Sequence, residues 1–284
     1  MDNSNSRIAL ITDSSCDLPE EILKKHSIFT LPLRVIYGDN EYRDGIDITP
    51  KEVYDRMPYD IPKTSMASPS DCSDLLESLR NQGIKNILSI NISSGLSGTF
   101  DMIKMISKDF PDLNIITIDS KSLSIGLGFM VYEAAKMIAE GLKIDEIKEK
   151  ILSIREKIKL YYCIPVLEYL KKGGRINTVA AAIGDIMDIK PIISINQEGK
   201  YYSHAKVRGR KKSLDKLVEI VKEISEGKAV KLAVMHGNAE KEAMKIKETL
   251  SKLPNIKDII FGQIGPALGV HTGPGLVGVC VYIQ

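Results

Sequence analysis

A chain of 284 residues with 43% hydrophobic and 27% charged side chains is long enough for one large domain or two ordinary ones, with a substantial core. Its 39 basic and 37 acidic residues leave a formal charge of +2, which argues against a dedicated nucleic-acid binder, as do the scarcity of aromatic residues and the lack of tryptophan. No apolar run approaches the roughly 18 residues of a membrane span, and no secretory signal is visible. The cysteines Cys16, Cys72, Cys163 and Cys280 lie too far apart for a metal motif, so structural thiols in a reducing cytoplasm are expected.

In chain order, "RIALITD" (7–13) reads as a buried strand and "CDLPEEILKKH" as the helix after it, with Asp17 and Glu20 at capping-box spacing. "IFTLPLRVIYG" (28–38) is a second extended run and "GDNEYRDG" a turn-rich excursion. Thr49 caps the next helix, with Pro50 first in it and Glu52 three residues beyond the cap; Ser68 and Pro69 repeat the pattern. The strand "NILSIN", a hydroxyl-rich loop, a helix to about Lys108 and the strand "NIITID" follow. The helical "SIGLGFMVYEAAKMIAEG" and the amphipathic "KIDEIKEKILSIREKI" complete the first half. Strands alternating with helices indicate a mostly parallel sheet between helical layers.

The second half changes style. "KLYYCIPV" is strand-like, "LEYLKKGGRI" a short helix closed by glycines, and "NTVAAAIGDIMDI" a small-residue helix. "KPIISINQEGKYYSHAKV" reads as a hairpin turning at Glu198–Gly199. Helices over 213–225 and 238–251 and strands over 229–235 and 257–261 resume the alternation. "GPALGVHTGPGLVGVCVYI" is a glycine-rich loop and a final buried strand. A boundary falls near residues 155–162 without a flexible linker, so two closely packed domains with a cleft or tunnel between them are expected.

Three polar clusters interrupt this pattern. "NISSGLSGT" (91–99) leaves a strand and opens a helix, where backbone N–H groups and hydroxyls can receive an anion. It has Thr99 where a phosphate loop would carry lysine, and the Gly95–Gly98 spacing does not form a nucleophile elbow; a turn that merely caps a helix is the alternative. "PKTSMASPSD" (62–71) sets Thr64 and Ser65 before another capped helix, and "GVHTGPG" (269–275) flanks His271 with glycines that allow close backbone approach.

The segments "ITDSSCDLP", "PKTSMASPS", "SSGLSGT", "KKGGRI", "KVRGRKKS" and "HTGPGLVG" occur in the order found in the DegV family, and the chain resembles that family over nearly its whole length. The characterised members are bacterial fatty-acid-binding proteins of the FakB type. The resemblance implies a two-domain α/β fold. Residues 1–158 would form a mostly parallel sheet flanked by helices, and 159–284 a mixed α/β domain carrying a basic face and acyl-chain lining. It implies one enclosed long-chain fatty acid such as palmitate, no cofactor, and a monomeric carrier rather than an enzyme. Matched motif by motif, Thr64 and Ser97 would hold the carboxylate with His271 close by. Arg175 would assist when a fatty acid kinase catalytic subunit phosphorylates the bound acid to an acyl phosphate for phospholipid synthesis. Met66–Ala67 departs from the family, where many members read Gln followed directly by Pro; the loop is one residue longer and the head-group site is expected to change shape.

Elementary energetics agree with a carrier. Burying about 15 methylenes contributes up to roughly 12 kcal/mol before ordering costs, which calls for a dry apolar tunnel; "GLGFMVYEAAKMIA" and "NTVAAAIGDIM" are candidate linings. The carboxylate cannot be buried without partners. Hydroxyls of Thr64 and Ser97 offer it an uncharged seat, whereas a bidentate arginine would hold it too tightly for attack on phosphate. Asp13 is expected to organise the pocket floor. Lys171, Lys172, Arg175, Lys206, Arg208, Arg210, Lys211 and Lys212 form either a solvated surface or a docking face for an acidic kinase. The competing function is an enzyme of phosphotransfer or acyl-hydrolase type using Ser97 and His271.

Overall fold

A computed structural model of the chain describes residues 7–176, 179 and 189–284. Strands β1 (Ile8–Asp13), β2 (Phe29–Leu31), β6 (Asn86–Asn91) and β7 (Asn114–Asp119) form an all-parallel sheet in the order β2-β1-β6-β7. The β6 residues Ile87–Asn91 are all buried, the continuous apolar character expected of a strand covered on both faces. Its polar members satisfy one another, Ser89 Oγ donating to Asn91 Oδ1 at 2.7 Å. All four strands run the same way, so the loops at their carboxyl ends gather on one edge.

Pro32 splits the extended run at 28–38: beyond it, β3 (Arg34–Tyr37) leaves the parallel sheet and pairs with β4 (Asn40–Arg43) and β5 (Lys63–Ser65) as a small antiparallel sheet. The excursion read as turns is therefore mostly strand. Helix α1 (Glu20–Lys25) lacks the expected cap, because Asp17 points elsewhere. Helix α2 (Pro50–Arg56) has the full Thr49–Glu52 capping box. At α3 (Pro69–Asn81), Ser68 occupies the cap position, but its hydroxyl meets Ser70 Oγ at 2.6 Å instead of a backbone N–H. Helices α4 (Thr99–Ile106), α5 (Ser124–Ala139) and α6 (Ile144–Lys157) complete this half; Ile144, Ile147, Ile151 and Ile154 form the buried stripe of α6.

The second sheet has six strands, β8 (Ile158–Cys163), β9 (Ile189–Ile195), β10 (Tyr201–Arg208), β11 (Val230–Gly237), β12 (Ile256–Gln263) and β13 (Leu276–Ile283), in the order β10-β9-β8-β13-β11-β12. Among the described residues its one parallel pair is β11–β12. The last strand inserts antiparallel between β8 and β11, which the recurring strand–helix alternation does not reveal. Helices α7 (Glu168–Lys172), α8 (Arg210–Ser225), α9 (Glu240–Leu250) and α10 (Pro266–Thr272) belong to this half. The segment read as a glycine-rich loop is thus partly helical: Pro266 starts α10, and Gly273, at φ +68°, ends it. The largest buried cluster joins residues of both sheets, Leu88 and Ile90 of β6 with Leu160 of β8 and Cys280 of β13. Of the expected tunnel linings, α5 sends Leu127, Met130 and Val131 into that shared core. Most of "NTVAAAIGDIM" lies outside the described residues.

Candidate functional site

The hydroxyls of the 91–99 loop divide between two tasks. Ser93 Oγ donates to the Gly199 carbonyl at 2.8 Å and Ser94 Oγ to Asp119 Oδ2 at 2.5 Å, so these two tie the loop to the β9–β10 hairpin and to the end of β7. The fit is close: a Cβ on Gly95 would lie 2.7 Å from the Gly199 carbonyl oxygen. Gly199 itself has φ +78°, the turn conformation that favours glycine. Ser97 and Thr99 face the other way. Their oxygens lie 2.9 Å apart, Ser97 Oγ accepts the Thr99 N–H at 3.3 Å, and Thr99 Oγ1 accepts the N–H of Ala67 at 3.4 Å. That last bond lays the 62–67 segment against the start of α4. Met66 packs its sulfur over Gly98 and lines the cavity there, while Ala67 is buried behind it.

Thr64, on the edge strand β5 opposite Val35, reaches the far end of the chain: its Oγ1 is 2.7 Å from Nε2 of His271. His271 rides on α10, whose N-terminus is gripped by two carboxylates from the first half. Asp17 accepts the Gly265 N–H at 2.8 Å and the Ser124 hydroxyl at 2.5 Å; Asp44 accepts the Ala267 N–H at 3.0 Å and the Ser14 hydroxyl at 2.5 Å. Burial raises both, Asp17 to about 7 and Asp44 to about 6. Capping-box spacing assigns Asp17 to its own helix and gives no hint of a partner 248 residues away. Burial, and next the charge of Arg175, lower the His271 imidazole to about 4, so it is neutral at pH 7. Its Nδ1 is buried without a hydrogen-bond partner.

Thr64, Ser97, His271 and Arg175 line one cavity of about 270 Å³. Arg175 follows α7, with Nη1 donating to the Gly173 carbonyl at 2.5 Å and Nε to the Leu96 carbonyl at 3.4 Å. The cavity is therefore not lined by uncharged polar groups alone, as the hydroxyl motifs suggest: the Arg175 side chain shares it. Asp13 stands behind the wall. Fully buried, it accepts the Ile92 N–H at 2.8 Å, Asn91 Nδ2 at 3.3 Å and the Ser15 hydroxyl at 2.5 Å, fixing Ile92, which lines the cavity. Arg208 is exposed on β10 opposite Ile189 and does not line the cavity. Of the other basic residues, Arg210 bonds to Glu242 and to the Gly275 carbonyl, each at 2.6 Å, and so is bound internally.

Sequence reading passed over Tyr201 and Leu268. Both line the polar cavity and also a small apolar void of about 30 Å³ walled by Leu160, Tyr162, Met235, Ile264 and Leu276. An aromatic beside a hairpin turn and a leucine in a presumed loop carry no local signal of that position.

These features agree with what the chain is similar to. The profile of the DegV family matches residues 7–284, and the chain belongs to that family. A DegV domain-containing protein of Clostridium acetobutylicum is 43% identical over 276 residues, covering 97% of this chain and 99% of the relative. Among solved structures, a fatty-acid-binding DegV family protein from Thermus thermophilus superposes with a TM-score of 0.92 at 26% identity, covering 98% of this chain and 100% of that one. A stearic-acid-binding protein from Eubacterium ventriosum does so with 0.86 at 30% identity, covering 98% of each chain.

Proposed function

We propose that this protein is a fatty-acid carrier of the bacterial cytoplasm. It encloses one long-chain acid, seats the carboxylate among Thr64, Ser97, His271 and Arg175, and presents it to a fatty acid kinase for conversion to acyl phosphate. The observation that carries this reading is the meeting of those four side chains, from both halves of the chain, at a cavity that adjoins an apolar void across Tyr201 and Leu268. The fatty acids bound by the two structural neighbours support the ligand class. The void holds about one water, so a long tail enters by displacing its walls, with Met235 the most adaptable of them. Neutral His271 can donate to the carboxylate or take up a proton beside it, while the Thr64 hydroxyl turns from the imidazole to the ligand.

A hydrolytic Ser97–His271 pair is less well supported. Ser97 bonds to Thr99, His271 to Thr64, and His271 Nδ1 has no third group to orient it, whereas an activated serine needs both links. The deciding experiment is mass spectrometry of a solvent extract of the purified protein, followed by kinase-dependent ATP consumption with the extracted acid restored. Co-purified long-chain acid and stoichiometric phosphorylation are expected; an empty protein that hydrolyses esters alone overturns the reading.

A further inference from the structure

The two glycines of "KKGGRI" serve different needs. Gly174 is a backbone requirement: at φ +71° it lets the chain turn away from α7. Its N–H bonds to the Lys171 carbonyl at 3.0 Å and that of Arg175 to the Leu170 carbonyl at 3.1 Å, which closes the helix. A Cβ on Gly174 would meet nothing within 4 Å. Gly173 has an ordinary helical backbone, φ −73° and ψ −6°, which any residue could adopt. What it lacks is room: a Cβ there would lie 2.1 Å from Nδ1 and 2.8 Å from Cε1 of His271. The imidazole rests on the bare Cα, and the Gly173 carbonyl accepts from Arg175 Nη1 at 2.5 Å. One residue thus touches both basic side chains of the seat.

A matching contact holds this one in place. Tyr169, one turn earlier on α7, covers Gly273 at the end of α10, where a Cβ would lie 2.1 Å from the Tyr169 ring. Each helix places an aromatic ring on a glycine of the other, and the Gly173 N–H is tied to the Tyr169 carbonyl at 2.9 Å. Resting on the carrier function proposed above, we propose that Gly173 is the positioning residue of the carboxylate seat. Its missing side chain sets where the imidazole stands, and its carbonyl sets where the guanidinium stands. His271 Nδ1, pressed against that Cα and buried without a partner, is shut off from the ligand. Carboxylate recognition therefore falls to Nε2, 2.7 Å from Thr64 Oγ1. A side chain at 173 would push the ring back by about 1 Å or drive α7 away together with Arg175. Either movement exceeds what a preorganised site tolerates.

The test is a double-mutant cycle on the full chain, read by stearate affinity and by NMR titration of the His271 ring. Gly173→Ala should weaken stearate by about tenfold in the unmodified background and by less than about twofold in His271→Ala, where the obstacle is gone. It should also flatten the dependence of affinity on pH, which a loss of stability alone does not do. In the ligand-free protein the His271 ring, held low by burial and by Arg175, should titrate near 4 and move toward 6.5 once Gly173→Ala displaces it. Gly174→Ala is the control: it should lower the melting temperature by about 3 °C through backbone strain and leave the His271 titration unchanged. Equal losses of affinity in both backgrounds, or an unmoved His271 titration in a folded Gly173→Ala, overturn the proposal. If Gly173→Ala alone does not fold, folding of the Gly173→Ala, His271→Ala pair supports the proposal and failure of the pair overturns it. If no form of the protein binds stearate, the carrier reading has failed, and the ring titration alone still decides whether Gly173 positions His271.

Discussion

The two hollows of this molecule are built from different material. The seat, of about 270 Å³, takes Thr64, Ser97 and Ile92 from the first half and Arg175 and His271 from the second; its polar groups come from β5, a loop and helix ends. The void, of about 30 Å³, is walled largely by β8, β11, β13 and α10 of the second half, with Leu123 and Ser124 from the first. The difference follows from topology. A parallel sheet sends its loops to one edge, where backbone N–H groups and short hydroxyl side chains collect. An antiparallel sheet pressed against a shared core offers an apolar face instead. On the proposed function, an amphiphile spanning both hollows would be held by polar contacts at one end and by area at the other, and each contribution can be removed separately.

The largest effect should come from the seat. Thr64→Val with Ser97→Ala removes two hydroxyl donors to a charged group, each contributing about 1.5–3 kcal/mol. Displacement of a fluorescent fatty acid should therefore show affinity falling by about 100-fold or more. Unchanged affinity would mean that the carboxylate lies elsewhere and that the polar hollow is not its seat. The complementary change is Gly278→Val in the void. Its Cβ would press on Tyr162, so stearate should weaken by about tenfold while a ten-carbon acid, which occupies less of the void, changes little. Equal losses for both acids would contradict the division of labour between the two hollows.

How much of this was legible in the sequence depends on the range of each interaction. Thr49–Glu52 is a local signal, and the capping box forms as read. The parallel core of the first half is likewise legible, because continuous apolar runs separated by capped helices leave few other arrangements. Asp17 shows the opposite. Three residues from Glu20 it satisfies a local rule, but Gly265 and Ser124 outcompete its own helix, and only the folded chain brings them near. The insertion of β13 between β8 and β11 is long-range in the same way. So is the position of Tyr201 and Leu268 where the hollows meet, since an apolar residue advertises burial and not what it is buried against. The convergence of Thr64, Ser97, Arg175 and His271 on one cavity was reachable only through motif order, because the spacing between those residues says nothing about their meeting.

Titration sharpens the comparison further, since the ionisable groups around α10 shift in opposite senses. Asp17 moves from an ordinary value of 3.8 to about 7, so the folded chain retains a proton that the unfolded chain releases. The associated stability is complete below about pH 4 and is lost as pH rises through 7. Asp17→Asn keeps an acceptor for Gly265 and mimics the protonated acid, so it should raise the melting temperature at pH 8 by about 3 °C, for roughly 1 kcal/mol, and leave it unchanged at pH 4. His271 behaves inversely: lowered to about 4, it contributes stability above its ordinary 6.5 that is lost as pH falls toward 4. A bound carboxylate favours the imidazolium, so binding takes up a proton. Stearate affinity should rise several-fold between pH 8 and pH 6 and become flat in His271→Gln; a flat profile in the unmodified protein would remove His271 from the seat.

The smallest effect on binding is expected at Arg208, and it separates the seat from the surface around it. Arg208 is exposed on β10 and lines neither hollow, whereas Arg175 lines the polar one. Screened by water and salt, an exposed charge outside the cavity contributes little to a buried carboxylate, so Arg208→Ser should change stearate affinity by less than about twofold. If the basic surface docks an acidic kinase, the same substitution should slow acyl phosphorylation at low ionic strength and reduce its salt dependence, because peripheral charges act mainly on encounter rates. Phosphorylation rates measured across a salt series on both proteins give the answer. Parallel salt curves would assign Arg208 to the solvated surface and leave Arg175 as the basic residue tied to the acyl group.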